Sequence, residues 1–568
     1  MQPQVYVLSQ GTESERREMA RMNNIKASKT VADVIRTTMG PRSMLKMILD
    51  SMGSVVMTND GNAILRELDV AHPAAKAMLE VSRAQDEQVG DGTTSVVVLA
   101  GEVIAMAEPL LKCGIHPILI TQGYQKALDF LLDEAEKFSF GINVDGIETL
   151  GLKSEAASSI MTVLRNSLST KFVSRWMDLM CNLALEAVSI VARGRGAEVR
   201  KGLVSANGGA NLKENEDGDD GSLGAPVDID IKRFCRIEKI PGATVEDCCV
   251  IDGVVLNKDI IHPDMRKYIK NPRIILLDCP LEYKKAQSMM NVELFQGKSD
   301  LGDILKVEED YIRTHVEKIL SFKPDLVITE KGVADQATHM FVQNGVTVLR
   351  RVRKTDNIRL AAVSGATIVN RIEELRENDV GTYAGLYELQ KIGDEFFSFI
   401  HQTGGKASAC TIVLRGASKS TLLEIERNIQ DAMHVCRNII LDPRLVIGGG
   451  CFEAHLSTTL SQYADTLVGK PQLVIKAVAK SLEVIPRTLL QNCGGNIIRI
   501  ITELKAAHSS DPNCQLGVDG VTGLLVNCKE RGIWDPLSTK LQILKAAIEN
   551  ACMILRVDDI FSCDGKGV

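Results

Sequence analysis

Glycine turns of a kind that can hold phosphate groups lie near both ends of this 568-residue chain, with alternating strand and helix patterns between them. If these turns serve one site, the two outer parts must fold together and the middle must be nested between them. The most informative turn reads Gln85-Asp86-Glu87-Gln88-Val89-Gly90-Asp91-Gly92-Thr93-Thr94-Ser95 and runs straight into the apolar Val96-Val97-Val98-Leu99-Ala100. Gly90 and Gly92 let backbone come close to a ligand. Three consecutive hydroxyls stand where a helix begins, and a helix N-terminus offers free N–H groups and partial positive charge to a phosphate. Asp91 is then a hard oxygen ligand for the magnesium that accompanies phosphates. Taken alone, the same residues also fit a plain turn followed by an N-cap.

Two more turns lie upstream, at Thr37-Thr38-Met39-Gly40-Pro41-Arg42-Ser43 and at Met57-Thr58-Asn59-Asp60-Gly61-Asn62. By themselves, Gly40-Pro41 reads as a helix-terminating turn and Asn59-Asp60-Gly61-Asn62 as a hairpin turn. In the last third, Lys419–Asn438 has helical periodicity with Leu422, Ile425, Ile429, Met433 and Cys436 on the apolar stripe. Asp431 sits two residues past Ile429, about 200° around the helix, and so faces away from that stripe.

Composition excludes several classes. A net charge of −7 lacks the basic face that a nucleic-acid partner requires. The apolar run from Val96 to Leu111 is interrupted by Glu102 and Glu108, so a membrane span is not expected. The 14 cysteines are scattered without a C-x-x-C pair and the nine histidines without an H-x-x-H. They read as reduced thiols in a cytoplasmic protein rather than as disulfides or a zinc site. The opening residues carry no signal-peptide pattern.

Along the chain, Ala27–Phe138 and Ser154–Val191 are mainly helical in pattern. Between Asp228 and Arg376 the short apolar runs Arg273–Leu277, Leu326–Thr329, Val346–Leu349 and Thr367–Val369 alternate with helical ones, as in a domain with its own sheet. Strand-like segments follow at Leu386–Lys391, Phe396–Ile400 and Cys410–Leu414, then helical pattern from Lys419 almost to the end. Residues 192–226 hold eight glycines, no aromatic residue and an acidic run, and are expected to form a flexible surface loop.

The motifs Arg36–Ser43, Met57–Ile64 and Gly90–Ser95 resemble the three N-terminal signatures of the group II chaperonins, the ATP-driven folding rings. Ser481–Leu489, Gly448-Gly449-Gly450 and Gly532-Ile533-Trp534-Asp535-Pro536 resemble their C-terminal half. The likeness runs from about Ala27 to Ile560. The segments 268–274, 350–357 and 431–438 are closest to one subunit type of the eukaryotic complex. The resemblance implies a multidomain α/β chaperonin fold: a discontinuous helical equatorial domain (1–150 and 415–568), an intermediate hinge domain (151–235 and 378–414) and a nested α/β apical domain (236–377) with a helical protrusion at about 282–321. It also implies a cytoplasmic subunit of a hetero-oligomeric double ring of two eight-membered rings, which uses ATP and magnesium to close a lid over unfolded client proteins of the actin and tubulin type.

Carried over residue by residue, the resemblance assigns nucleotide contact to Thr38, Met39, Gly40, Pro41, Gly92, Thr93, Thr94, Ser95, Gly449, Gly520, Val521, Asp535 and Lys540, with Thr170 and Lys171 joining when the lever closes. Asp91 is its magnesium ligand, and Asp60 and Asp431 are the carboxylates that polarise the lytic water. There is no G-x-x-x-x-G-K-[ST], so the site is not a P-loop. Two positions depart from the family: Ile447 stands where Pro is usual and Asp535 where Glu is frequent. Client contact falls to Gln336, His339 and Met340 on a helix over 335–343, and to Met289 and Met290, which fit equally well as buried core. A subunit that binds nucleotide but hydrolyses it weakly or not at all is the alternative. Asp60, Asp91 and Asp431 speak against it, whereas Ile447 and Asp535 keep it open.

Overall fold

The structure is a computed structural model that describes residues 12–49, 53, 55–142, 155–206, 229–283, 301–402, 408–511 and 513–563. By contact the chain divides into two compact units, Met1–Ala184 with Leu423–Val568, and Leu185–Leu422.

The first unit is helical and joins the two outer parts of the chain. Its central element is the helix Thr93–Lys112, which packs against Arg17–Arg36, Pro73–Gln88, Lys470–Leu482 and Leu537–Leu555. On length and hydropathy this helix does match a membrane span, contrary to the sequence reading. Its Val96, Val97, Val98, Ala100 and Ile104 are fully buried within the unit, together with Ile35, Met78, Ile120, Tyr124, Val474 and Ala547. Gly101 permits the closest of these packings: a Cβ there would lie 2.5 Å from the Ala32 Cβ. A small three-stranded antiparallel sheet, in the order Trp534–Pro536, Arg444–Ile447, Phe140–Gly141, ties the two outer parts together again.

The helical pattern over 154–191 resolves into Glu155–Ser169, a 3₁₀ turn Phe172–Trp176 and a long helix Met177–Ala206. That last helix corrects the expectation of a loop beginning at 192. The stretch Ala192–Lys201 is rich in Ala, Arg, Glu and Lys, good helix formers, and averaging it with the glycine-rich acidic run hid this. Residues 207–226 of the expected loop lie outside the described residues.

Among the described residues the second unit holds three sheets. Cys410–Gly416 pairs in parallel with Cys235–Pro241 and antiparallel with Cys249–Ile251. An antiparallel sheet runs Gly253–Leu256, Glu395–Gln402, Ala384–Ile392, Tyr268–Lys270. The third, all parallel, runs Thr347–Leu349, Leu326–Thr329, Ile274–Leu277, Ile368–Val369, within a residue of the expected strands. Helices Leu301–Ser321, Asp335–Gln343 and Lys354–Ser364 form its crossovers. Near-continuous burial of Ile274–Leu277 and Leu326–Thr329 fits a sheet covered on both faces. In the expected protrusion, 284–300, including Met289 and Met290, lies outside the described residues. Gln336 and His339 are exposed and Met340 is half-buried.

Candidate functional site

Within the first unit a cavity of about 510 Å³ collects residues from both outer parts of the chain. Every nucleotide or catalytic position named from the sequence lines it: Thr38 to Pro41, Asp60, Asp91 to Ser95, Thr170, Lys171, Asp431, Gly449, Gly520, Val521, Asp535 and Lys540. Of the client-contact positions, the described Gln336, His339 and Met340 belong to the other unit.

Two helix N-termini open into the cavity. Thr93–Lys112 starts at Gly92, with φ +78°, and Cys451–Asp465 starts at Gly450, with φ +75°; neither has a side-chain cap. A positive φ at Gly92 is cheap only for glycine, and here it turns the free N–H groups of the first helical turn toward the cavity. Their partial positive charge makes each end a ready anion site.

Asp60 is not in a hairpin turn, as its local sequence suggested. It is the N-cap of the helix Gly61–Glu67, accepting bonds from the Asn62 and Ala63 amides. Its Oδ1 also accepts the Thr93 hydroxyl at 3.0 Å, which joins the second glycine turn to the third. Asp91 Oδ1 accepts the Gly92 amide at 2.8 Å, and burial pushes the carboxyl above its ordinary range despite nearby Lys171. Asp431 faces away from its helix's buried stripe as expected, but into the cavity rather than into solvent. It forms an ion pair with Lys171, both side chains being largely buried. Burial, together with Asp60 and Asp91, raises the Asp431 pKa well above its ordinary value against the opposing pull of Lys171. For Lys171, burial pulls the other way, but the carboxylates of Asp431, Asp91 and Asp60 outweigh it and raise its pKa.

Three carboxylates thus face one ammonium. Among the described residues no set of three acidic, His or Cys side chains converges as a metal cage. The surplus negative charge instead fits a magnesium ion held by one carboxylate, with its remaining ligands from phosphate and water. Asp91, beside an uncapped helix N-terminus, is the carboxylate so placed.

At the far end, Lys540 bonds Glu453 at 2.8 Å and Asp535 at 3.0 Å. Burial would lower its pKa, but those two acids raise it. The missing Pro at Ile447 is offset by pairing. Ile447 is buried in a strand opposite Trp534, and the Gly448 amide donates to the Ile533 carbonyl at 2.9 Å. The Gly520 loop packs on Pro41, where a Cβ on Gly520 would lie 2.6 Å from the Pro41 ring.

Several supporting residues had no distinct sequence signal. Asn492 donates to the carbonyl of Met39 at 2.8 Å, and Gln85 to that of Asp91 at 2.9 Å. Asn438 donates to the carbonyl of Val89 at 2.9 Å. Asn59 and Ser43 both donate to the Thr170 carbonyl, at 2.8 and 3.0 Å. Side-chain amides tying down loop carbonyls recur here, and Gln85 and Asn59 were at least adjacent to the glycine turns. Glu453, the partner of Lys540, sits just past the glycine triplet.

Comparison with known proteins agrees with this geometry. The profile of the TCP-1/cpn60 chaperonin family matches residues 31–564. The chain is 49% identical to T-complex protein 1 subunit gamma of Bos taurus over 559 residues, covering 98% of this chain and 95% of that one. The human gamma subunit is equally similar, and that of Schizosaccharomyces pombe is 48% identical over 563 residues, 99% of each chain. A likeness spanning both uncapped helix ends, the carboxylates around Lys171 and the nested parallel sheet covers the whole architecture, and the chain belongs to the TCP-1/cpn60 chaperonin family.

Proposed function

We propose that this chain is a gamma-type subunit of the eukaryotic cytosolic chaperonin TRiC/CCT, and that it binds and hydrolyses Mg-ATP to drive enclosure and folding of unfolded client proteins. The observation that carries the reading is the cavity shared by both outer parts of the chain, with two uncapped helix N-termini above an acidic cluster that holds one lysine.

On this reading the N–H groups after Gly92 and Gly450 bind phosphate oxygens, and Thr38 to Pro41 close one side. Asp91 would hold the magnesium, which would neutralise phosphate charge. Asp60, fixed by the Asn62 and Ala63 amides and by Thr93, orients the attacking water. Asp431 takes its proton, a role suited by a proton affinity raised through burial. Lys171 restrains Asp431 until phosphate competes for its ammonium group, which makes Lys171 the natural reporter of nucleotide state. Asp535 and Lys540 are placed for the ribose end. Asp535 is drawn to Lys540, which favours a weaker ribose contact than a longer acid would make.

Assembly into a ring is supported by the hairpin Lys46–Leu49 with Val55–Thr58, where Met47 and Leu49 are 70% and 71% exposed. Among the described residues the pair Thr12–Arg16 with Asp559–Cys563 forms a sheet of two strands with no further partner. Exposed apolar edge strands invite pairing with a neighbouring subunit.

The decisive test is single-turnover ATP hydrolysis in an assembled ring whose other subunits are inactivated. Release of phosphate above the background of the fully inactivated ring is expected. Bound ATP that stays intact would instead identify a non-hydrolysing subunit.

A further inference from the structure

The second unit contains a cavity of about 240 Å³ that the nucleotide reading does not use. Its position is set by topology. Counted along the chain, the parallel sheet has strand order 3-2-1-4, with Ile274–Leu277 first and Ile368–Val369 fourth. In such doubly wound sheets the chain reverses direction between strands 1 and 4, and the loops leaving their carboxyl ends part to leave a crevice where ligands bind. The cavity lies there: one wall is Cys279 to Glu282, after the first strand, and another is Asn370 to Glu373, after the fourth. The helix Leu301–Ser321 supplies Tyr311, Ile312, His315 and Val316 as the third wall.

The lining has a definite chemistry. Tyr283 packs edge-on against Tyr311, with centroids 6.3 Å apart, and His315 lies 4.2 Å from the Tyr311 ring. A carbonyl only accepts, so His315 Nδ1–H donates to the Tyr311 carbonyl at 2.7 Å, and in the neutral ring Nε2 is then an acceptor. Glu282 and Glu373 line the cavity from opposite loops, with the Glu282 carboxylate lying over Gly332. Among the described residues neither has an ion-pair partner, whereas Arg371 turns to Glu374 at 3.9 Å. Nearby Lys318 bonds the Glu373 carbonyl oxygen rather than its side chain. Aromatic rings, a hydrogen-bond acceptor and two unpaired carboxylates together favour a cation with an apolar body.

We infer that this crevice is a second ligand site, taking an organic ammonium whose apolar stem lies against Tyr311 and whose charge sits between Glu282 and Glu373. The ammonium comes either from a free small amine or from a lysine side chain. This holds whether or not the first unit hydrolyses ATP.

The test is calorimetric titration of the assembled ring with 2-phenylethylammonium, its neutral counterpart 2-phenylethanol and the anionic 3-phenylpropionate, with Nα-acetyl-lysinamide as the lysine arm. At least about fivefold tighter binding of the ammonium than of the alcohol is expected, the scale of two partly exposed ion pairs. Glu282→Gln with Glu373→Gln should erase that preference, and Tyr311→Leu should weaken both ligands, with ATP hydrolysis by the ring unchanged. Tighter binding of the lysine arm would assign the site to polypeptide, and tighter binding of the phenyl amine to a free amine. Equal binding of amine and alcohol, no binding, or preference for the anion would overturn the assignment.

Discussion

Lys171, just past the end of the helix Glu155–Ser169, forms an ion pair with Asp431, which lies 260 positions later in the chain on the helix Lys419–Leu441. This contact bridges the two outer parts of the chain inside the cavity. It places the Lys171 ammonium on a carboxylate whose proton affinity burial has raised. The Thr170 carbonyl next to it is held by Asn59 and Ser43, so the position of Lys171 depends on both upstream turns.

Removing that cation should shift a pH profile. Lys171 pulls the Asp431 pKa down while burial pushes it up, so Lys171→Ala raises it further. A base must be ionised to act, so the acid limb of single-turnover hydrolysis moves to higher pH and the rate at neutral pH falls. ATP affinity should fall as well, because the phosphate loses the ammonium group it competes for. A profile that coincides with that of the parent would remove Lys171 from the mechanism.

Asp431→Ala should leave nucleotide binding close to normal and slow hydrolysis by roughly 10²-fold or more, the scale of a positioned acid–base group. Its side chain contributes nothing to the buried stripe of its helix, so the fold should tolerate the change. The measurement is single-turnover phosphate release alongside equilibrium ATP binding. A rate equal to that of the parent would assign the water-activating role elsewhere.

Asp91→Ala should act earlier, on binding. Without the metal ligand, the surplus of phosphate charge at the helix N-terminus loses its bridging cation. Calorimetry should find Mg-ATP affinity reduced, while metal-free nucleotide binds the variant and the parent alike. Equal Mg-ATP affinity in both proteins would contradict the assignment.

Gly101→Val tests the packing that holds the site's central helix. A Cβ at this position already falls 2.5 Å from that of Ala32, so the helices Thr93–Lys112 and Arg17–Arg36 must separate. Overpacking of this kind costs about 1–3 kcal/mol. A lowered melting temperature of the isolated subunit is expected, and an unchanged one would mean that the helix pair can shift freely.

Stability should also fall in mild acid through a buried histidine pair. Burial lowers the pKa of both His455 and His508, whose rings lie 6.3 Å apart, and His455 stacks on Phe138 at 4.3 Å. Below about pH 6.5 the unfolded chain takes up protons that the folded one refuses, so stability drops as pH falls from there toward the lowered folded values. Melting temperatures between pH 7.5 and 5.5 should decline less in His455→Phe with His508→Gln than in the parent. Parallel declines would exclude the pair as the cause.

Much of this was legible in the residues themselves. The hydroxyl run after Gly92 located the start of Thr93–Lys112, helical periodicity located Lys419–Leu441 as far as Asn438, and four short apolar runs located the parallel sheet, because side-chain period follows directly from backbone geometry. Glycine turns marked the loops that line the cavity, since few other residues allow backbone that close. The direction of Asp431 also followed from its helical spacing. Local sequence could not say what Asp431 faces: solvent and the cavity look identical from one helix, and only the arrival of Lys171 distinguishes them. Asp60 resembled a hairpin turn because an Asn-Asp-Gly run serves a turn or an N-cap equally well, until the helix after it packs against Thr94. Ala192–Ala206 was misjudged because composition averaged over a window hides a helix that ends inside it. The crevice beside Tyr311 had no motif, for it arises from strand order, and strand order is decided by how crossovers pack. Local pattern therefore determined which elements form and which turns approach a ligand. Tertiary packing alone decided which carboxylates share a cation, because charges hundreds of residues apart interact only once the core has brought them together.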